Sequence, residues 1–232
     1  MLDTNPVQLV VGPLATNCWL YAFTDPNPLP PMWQPYQDKL CAVIDPGADV
    51  LVIAARLKRC QRVPRYILLT HGHFDHLGVL EEAAAYCQKT YGLTPEIGIH
   101  KDDAEYVGPD SLEAHRESFT AAVGNALHID ALWHPLPRAD RLFTEGDRVG
   151  PFTVLHLPGH SKGSVGFYDS AAGVLFSGDT LFHNGFGRTD LPGGNARSLM
   201  TSLDRLFGLK GTVKVYPGHG QDTTIDQERA FY

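Results

Sequence analysis

Short runs of β-branched and apolar residues, each closed by turn-forming residues, recur along the chain. They lie at Val7 to Val11, Cys18 to Phe23, Leu40 to Ile44, Tyr66 to Leu69, Phe152 to Leu157, Ser164 to Tyr168, Val174 to Phe176 and Val213 to Tyr216, and their length predicts strands. Helical spacing interrupts them. Asp49 stands where it can cap a helix whose inward stripe is Ile53, Leu57 and Cys60. Leu77, Leu80, Ala84, Cys87 and Tyr91 repeat at spacings of 3, 4, 3 and 4 before Gly92, a helix stop, and Leu199, Leu203 and Leu206 precede Gly208. Strands and helices mix without strict alternation, which predicts a layered α/β architecture with helices covering sheets.

Two stretches break the pattern and are expected to be insertions in one domain spanning 1–232. Residues 24–38 hold five prolines in fifteen residues, which cannot continue a central strand; Trp33 and Tyr36 are placed to pack the excursion down. Residues 101–148 are polar and weakly periodic apart from a helical patch near Leu112 to Val123, and are read as a surface elaboration or a lid. His115, His128 and His134 lie in this stretch without ligand spacing and are read as surface or packing histidines.

Composition narrows the function classes. With 232 residues, 43% hydrophobic and 19% charged, the chain has material for a sizeable core without disulfides, and its make-up is not that of a disordered protein. A formal charge of −7 argues against nucleic acid as a partner. No apolar run approaches the ~20 residues of a membrane helix, and the N-terminus lacks the pattern of a signal peptide, so a cytoplasmic protein is expected. Cys18, Cys41, Cys60 and Cys87 form no C-x-x-C pair and are read as reduced thiols.

Histidine stands out, with 11 copies. Thr70 to His76 reads T-H-G-H-F-D-H directly after an apolar run, so His71, His73, Asp75 and His76 fall within six residues. Extended backbone points His71 and His73 to one side, while the turn into the next helix carries Asp75 and His76 toward a second point. That spacing predicts two adjacent metal positions. Three further apolar runs end in P-G-H at His160, S-G-D at Asp179 and P-G-H at His219, so four strand ends deliver donors toward one cleft. Imidazole and carboxylate are ligands that zinc accepts, and iron or manganese accept them as well.

These motifs, T-H-G-H-F-D-H, P-G-H-S, G-D-T-L-F and P-G-H-G, resemble those of the metallo-β-lactamase fold hydrolases, and the similarity covers nearly the whole chain. N-C-W-L at Asn17 to Leu20, I-D-P-G at Ile44 to Gly47 and G-F-G-R-T-D-L-P-G-G at Gly185 to Gly194 are most similar to the glyoxalase II-like branch. The resemblance implies an αββα sandwich of two mixed sheets flanked by helices. It implies that His71, His73 and His160 hold one divalent metal, that Asp75, His76 and His219 hold a second, and that Asp179 bridges them. Zinc is the expected metal. A bridging aspartate favours thioesterases, lactonases and phosphodiesterases of the fold over antibiotic-hydrolysing members. Tyr232 ends the chain before the helical domain of the longer glyoxalase II enzymes, and Gln221 stands where those carry a tyrosine; a shorter single-domain subgroup resembles the sequence in both respects.

The expected activity is hydrolysis of a small thioester, glutathione-derived in the glyoxalase II-like reading, by a metal-bridging hydroxide that the second metal and Asp75 keep oriented, with Asp75 and Asp179 as the expected catalytic residues. Arg188 matches a basic position facing the glutathione moiety in that branch; pairing with Asp190 on the surface is the other reading. Rival activities are a persulfide dioxygenase using one iron on His71, His160 and Asp179, a lactonase or phosphodiesterase, and a non-catalytic metal-binding protein. A monomer or homodimer is expected.

Overall fold

The computed structural model describes residues 5–232. One sheet is built from β1 (Val7–Val11), β2 (Thr16–Ala22), β3 (Leu40–Ile44), β4 (Val63–Leu68), β5 (Glu96–His100) and β6 (Arg141–Phe143), in that spatial order. β1, β2 and β3 pair antiparallel, whereas β3 through β6 run parallel. The other sheet comprises β7 (Arg148–Val149), β8 (Phe152–His156), β9 (Val165–Asp169) and β10 (Val174–Gly178), and continues beyond the separate hairpin of β11 (Leu181–Phe182) and β12 (Gly185–Phe186). With β13 (Lys214–Pro217) and β14 (Thr223–Thr224) its order is β14-β13-β10-β9-β8-β7. Both sheets are mixed.

Alternation along the strands explains the layering. Leu40, Ala42 and Ile44 of β3 face the second sheet, where they meet Phe152, Phe167 and Phe176, while Cys41 and Val43 turn to the opposite side. On that outer side α1 (Val50–Cys60) brings Ile53 and Leu57, and beyond α2 (Phe74–Leu77) the helix α3 (Leu80–Tyr91) brings Leu80, Ala84 and Cys87. Residues 101–148 add α4 (Leu112–Val123) and α5 (Leu127–Leu132). The second sheet's outer face carries α6 (Ala196–Phe207), whose Leu199, Leu203 and Leu206 pack on Leu155, Leu175 and Val215, before the final α7 (Ile225–Phe231). The αββα sandwich predicted above is the observed fold.

Several local expectations need correction. The Leu77–Tyr91 pattern is two helices, α2 and α3, separated at Gly78 and Val79, because the backbone must turn after it has presented Asp75 and His76. Asp49 occupies the helix-start position but gives its carboxylate to the Gly12 amide at 2.8 Å instead of capping its own helix. Residues 101–148 are more than an excursion, since β6 extends the first sheet. β5 escaped the strand pattern because Gly98 lies mid-strand; a Cβ there would come within 2.4 Å of the Phe143 ring, so the position trades strand propensity for close packing. Residues 24–38 contain a 3₁₀ turn, Pro31–Tyr36, that buries Trp33. His115 is buried against Phe74 and Tyr106. All four cysteines are free. Among the described residues no helix is long and apolar enough to cross a membrane.

Candidate metal centre

Four connections at one edge of the sandwich carry the histidines and aspartates singled out above. His71 and His73 lie in the loop after β4, Asp75 and His76 on α2, His160 between β8 and β9, Asp179 directly after β10, and His219 after β13. The fold brings all seven together. Ligand atoms of His71, His73 and His160 lie within 4.8 Å of one another, as do those of Asp75, His76 and His219, and those of His71, His76 and Asp179. His73 Nδ1 and His160 Nε2 are 2.8 Å apart, in hydrogen-bonding contact and closer than the ~3.3 Å two nitrogens would adopt on a tetrahedral zinc. Asp179 lies between the sets: Oδ2 is 3.6 Å from His160 Nε2 and 3.5 Å from His219 Nε2, while Oδ1 is 3.4 Å from His76 Nε2.

The donor set fits divalent cations by a direct test. His71 Nε2 and Asp179 Oδ1 are buried with no hydrogen-bond partner. Leaving such groups unsatisfied costs roughly 1–3 kcal/mol each, which a bound cation would remove. Burial, and then the neighbouring imidazoles, hold His71 and His73 well below the usual histidine range, so both offer lone pairs at neutral pH. Burial alone would raise Asp75, but His76 together with hydrogen bonds from His219 and Thr16 outweighs it and keeps the carboxyl well below its usual range. His76 moves upward because Asp75, Asp179 and Asp45 overcome the effect of burial. A cation entering beside His76 therefore displaces a proton.

Partners outside the seven decide which atom each ligand presents. His76 Nδ1 donates to Asp45 Oδ2 at 3.0 Å, which leaves Nε2 facing the centre. Asp45 also accepts from the Thr70 amide at 2.8 Å and hydroxyl at 2.6 Å, and Thr70 Oγ1 in turn meets His71 Nδ1 at 3.1 Å. His160 Nδ1 donates to the Arg188 carbonyl at 2.8 Å. Thr16 Oγ1 donates to Asp75 Oδ2 at 2.8 Å. Asp103 is 1% exposed and accepts from Gly72 N (2.9 Å), Ser161 Oγ (2.7 Å) and Gly163 N (2.6 Å), thereby joining the loop of His71 and His73 to that of His160.

The other motif residues acquire mechanical roles here. Trp19 Nε1 and Asn17 Nδ2 both donate to the Pro217 carbonyl, at 2.9 and 3.0 Å, and Asn17 N donates to Gly218 O at 2.7 Å, so N-C-W aligns the loop of His219. A Cβ on Gly218 would lie 2.1 Å from Asp179 Oδ1. One on Gly187 would lie 1.9 Å from the Asp179 carbonyl. Arg188 contributes its carbonyl to His160, while its half-exposed guanidinium forms a two-bond pair with Asp190, both bonds 2.7 Å. Asp45, Thr70, Thr16 and Asp103 were not singled out from the sequence. Asp45 had a visible signal in I-D-P-G, whereas Asp103, within a K-D-D run, had none.

Residues 11–219 match the metallo-beta-lactamase superfamily. The chain belongs to that family. It is 34% identical over 198 residues to "Hydroxyacylglutathione hydrolase GloC" of Haemophilus influenzae, a match covering 83% of this chain and 85% of the relative. Among solved structures it is similar to BLEG-1, described as a B3 metallo-beta-lactamase, with 32% identity, a TM-score of 0.76 and 97% of each chain covered. It is also similar to TTHA1623, solved in a di-iron-bound form, with 33% identity, a TM-score of 0.71 and coverage of 97% of this chain and 96% of that one. As a metallo-beta-lactamase superfamily member with these clusters, the chain is a metal-dependent hydrolase with donors suited to a dinuclear site.

Proposed function

We propose that the chain is a dinuclear thioesterase that hydrolyses glutathione thioesters such as S-lactoylglutathione, with Asp179 shared between two cations, zinc being the expected metal. The observation that carries this reading is the position of Asp179, whose two oxygens face both donor sets. A one-iron dioxygenase would need only His71, His160 and Asp179. Here Asp75, His76 and His219 converge as well. Similarity to GloC supports the glutathione thioester as substrate class.

Two divalent cations in such a site supply Lewis acidity toward a carbonyl and lower the pKa of water from ~15.7 to near 7. The protein's contribution is geometry. Asp45 and the Arg188 carbonyl hold His76 and His160 with Nε2 inward, and Thr16 holds Asp75. Asp75 and Asp179, both acceptors, orient the hydrogens of water at the centre. A thiol leaving group with a pKa of ~8.5 departs without a strong proton donor, which suits a centre made of imidazoles and carboxylates. Arg188 recognises the substrate carboxylate by releasing Asp190, since a guanidinium binds carboxylates in the two-bond manner seen with that residue.

Purified protein is expected to contain two metal equivalents and to turn over S-lactoylglutathione. One iron per chain with oxygen uptake on glutathione persulfide, or faster turnover of a lactone, phosphodiester or β-lactam, would overturn the proposal. For Arg188, R188A should raise KM severalfold at constant kcat; an unchanged KM removes its assigned role.

A further inference from the structure

A small cavity lies beside the metal centre, where the segment after β5 meets the loops of His160 and Arg188. Its volume is about 120 Å³, and it is lined by Asp103, Glu105 and Tyr106 of the 3₁₀ turn Lys101–Tyr106, by Glu117 of α4, and by Lys162 and Gly193. Its buried floor is shared with the centre. Tyr106 meets the His73 ring with centroids 6.1 Å apart, and Asp103 accepts from Gly72, Ser161 and Gly163. Lys162 stands two residues after His160.

The rim carries charge of both signs. Glu105, Glu117 and Lys162 are exposed, and among the described residues none of the three side chains has an ion-pair or hydrogen-bond partner, although all line one cavity. Asp103 is already committed to its three donors. A Cβ on Gly193 would come 3.2 Å from Lys162 Cγ, so the glycine lets the lysine stem lie against the segment that begins at Arg188. A ligand of a single charge sign would meet its own sign on this rim. One that carries a carboxylate and an ammonium on neighbouring atoms matches it. The volume is the share of about four waters, enough for the charged end of an amino acid and too little for a nucleotide.

We propose, on the thioesterase reading above, that Lys162, Glu105 and Glu117 form a subsite for the amino-acid end of the substrate's thiol portion, which in a glutathione thioester is the γ-glutamyl α-ammonium carboxylate. Lys162 binds the carboxylate and the two glutamates bind the ammonium. Arg188, on the segment leading to Gly193, is left for the carboxylate at the glycyl end. The 3₁₀ turn and α4 thereby select the thiol portion rather than the acyl group.

The test compares S-lactoylglutathione with the lactoyl thioester of N-acetylcysteamine, which has the same acyl group and no amino-acid end, on metal-replete wild type, K162M and E105Q/E117Q. K162M keeps an apolar stem and removes the charge, and all three substituted side chains are exposed, so both variants should fold. Each should lower kcat/KM for S-lactoylglutathione roughly fivefold relative to the cysteamine thioester, with the loss in KM. An unchanged ratio in either variant overturns the subsite and leaves the thioesterase reading standing. Failure of wild type to turn over either thioester overturns that reading and the subsite with it. Should the cysteamine thioester react too slowly to measure, the inhibition constant of S-methylglutathione decides: it should rise by a similar factor in each variant, and an unchanged value overturns the subsite.

Discussion

Replacing Asp103 by asparagine keeps the side chain's shape and removes its charge at a place where three donors converge. Gly72 N and Ser161 Oγ both approach Oδ2, and Gly163 N approaches Oδ1. Whichever way the new amide turns, its NH₂ faces at least one hydrogen-bond donor. Hydrogen bonds to a charged group are worth about 1.5–3 kcal/mol each, and an amide retains part of that, so D103N should lose on the order of 2–4 kcal/mol of stability. Burial pushes the Asp103 carboxyl upward, against the pull of hydrogen bonds from Ser161, Gly163 and Gly72 and of the nearby His160, so the charged form depends on these neighbours. The consequence for function is specific. Gly72 lies between His71 and His73, and Ser161 follows His160, so loosening the clamp separates the ligands of one cation. Zinc affinity, measured by competition with a chromophoric chelator on protein shown to be folded by circular dichroism, should fall roughly 10- to 100-fold. kcat should fall with it at saturating substrate, and zinc added in excess should restore much of the rate. S161A removes one donor of the three and should cost less than D103N, about 1.5–2 kcal/mol. Zinc affinity of D103N within a factor of two of wild type would refute the reasoning.

Other outcomes follow from the same geometry. D179A should lower metal content and reduce turnover by about two orders of magnitude or more while the protein stays folded, because Asp179 faces both donor sets; unchanged metal and rate would remove its role. G218A should disable the centre with little loss of helix or sheet signal, since its Cβ would sit 2.1 Å from Asp179 Oδ1; normal metal content in that variant would show that the loop yields. His115, 0% exposed, is depressed to about 4 by burial despite its bond to the Tyr106 carbonyl. The unfolded chain therefore takes up this proton at higher pH than the native protein. Stability tied to His115 is complete above pH ~6.5 and lost as pH falls toward 4, about 2 kcal/mol between pH 7 and 5. Denaturant unfolding of H115Q should show a correspondingly flatter pH dependence over that interval, and an unchanged slope would contradict it.

Legibility from sequence depended on how local each signal was. The donors of T-H-G-H-F-D-H announce themselves because a strand end, a turn and a helix start within six residues constrain where side chains point. P-G-H and S-G-D were legible for the same reason. The glycines of I-D-P-G, G-F-G-R and P-G-H-G were visible as motifs, yet their purpose emerges only from distant neighbours: a Cβ on Gly47 would meet the Asp75 carbonyl, and one on Gly187 or Gly218 would meet Asp179. β5 was missed because Gly98 suits the Phe143 ring more than it suits a strand. Nothing near Asp103 in sequence distinguishes it from a solvated acid, since its three partners come from Gly72, Ser161 and Gly163.

By itself, the order of residues determined which groups can bind metal and that they stand at strand ends, because ligand chemistry and strand-end placement are local properties. Tertiary structure decided which nitrogen of each imidazole faces inward, which carboxylate lies between the two donor sets, and whether the Arg188 guanidinium is free or held by Asp190. These depend on hydrogen-bond partners tens to hundreds of residues away, such as Asp45 for His76 and Pro217 for Trp19, whose proximity exists only after the two sheets have packed.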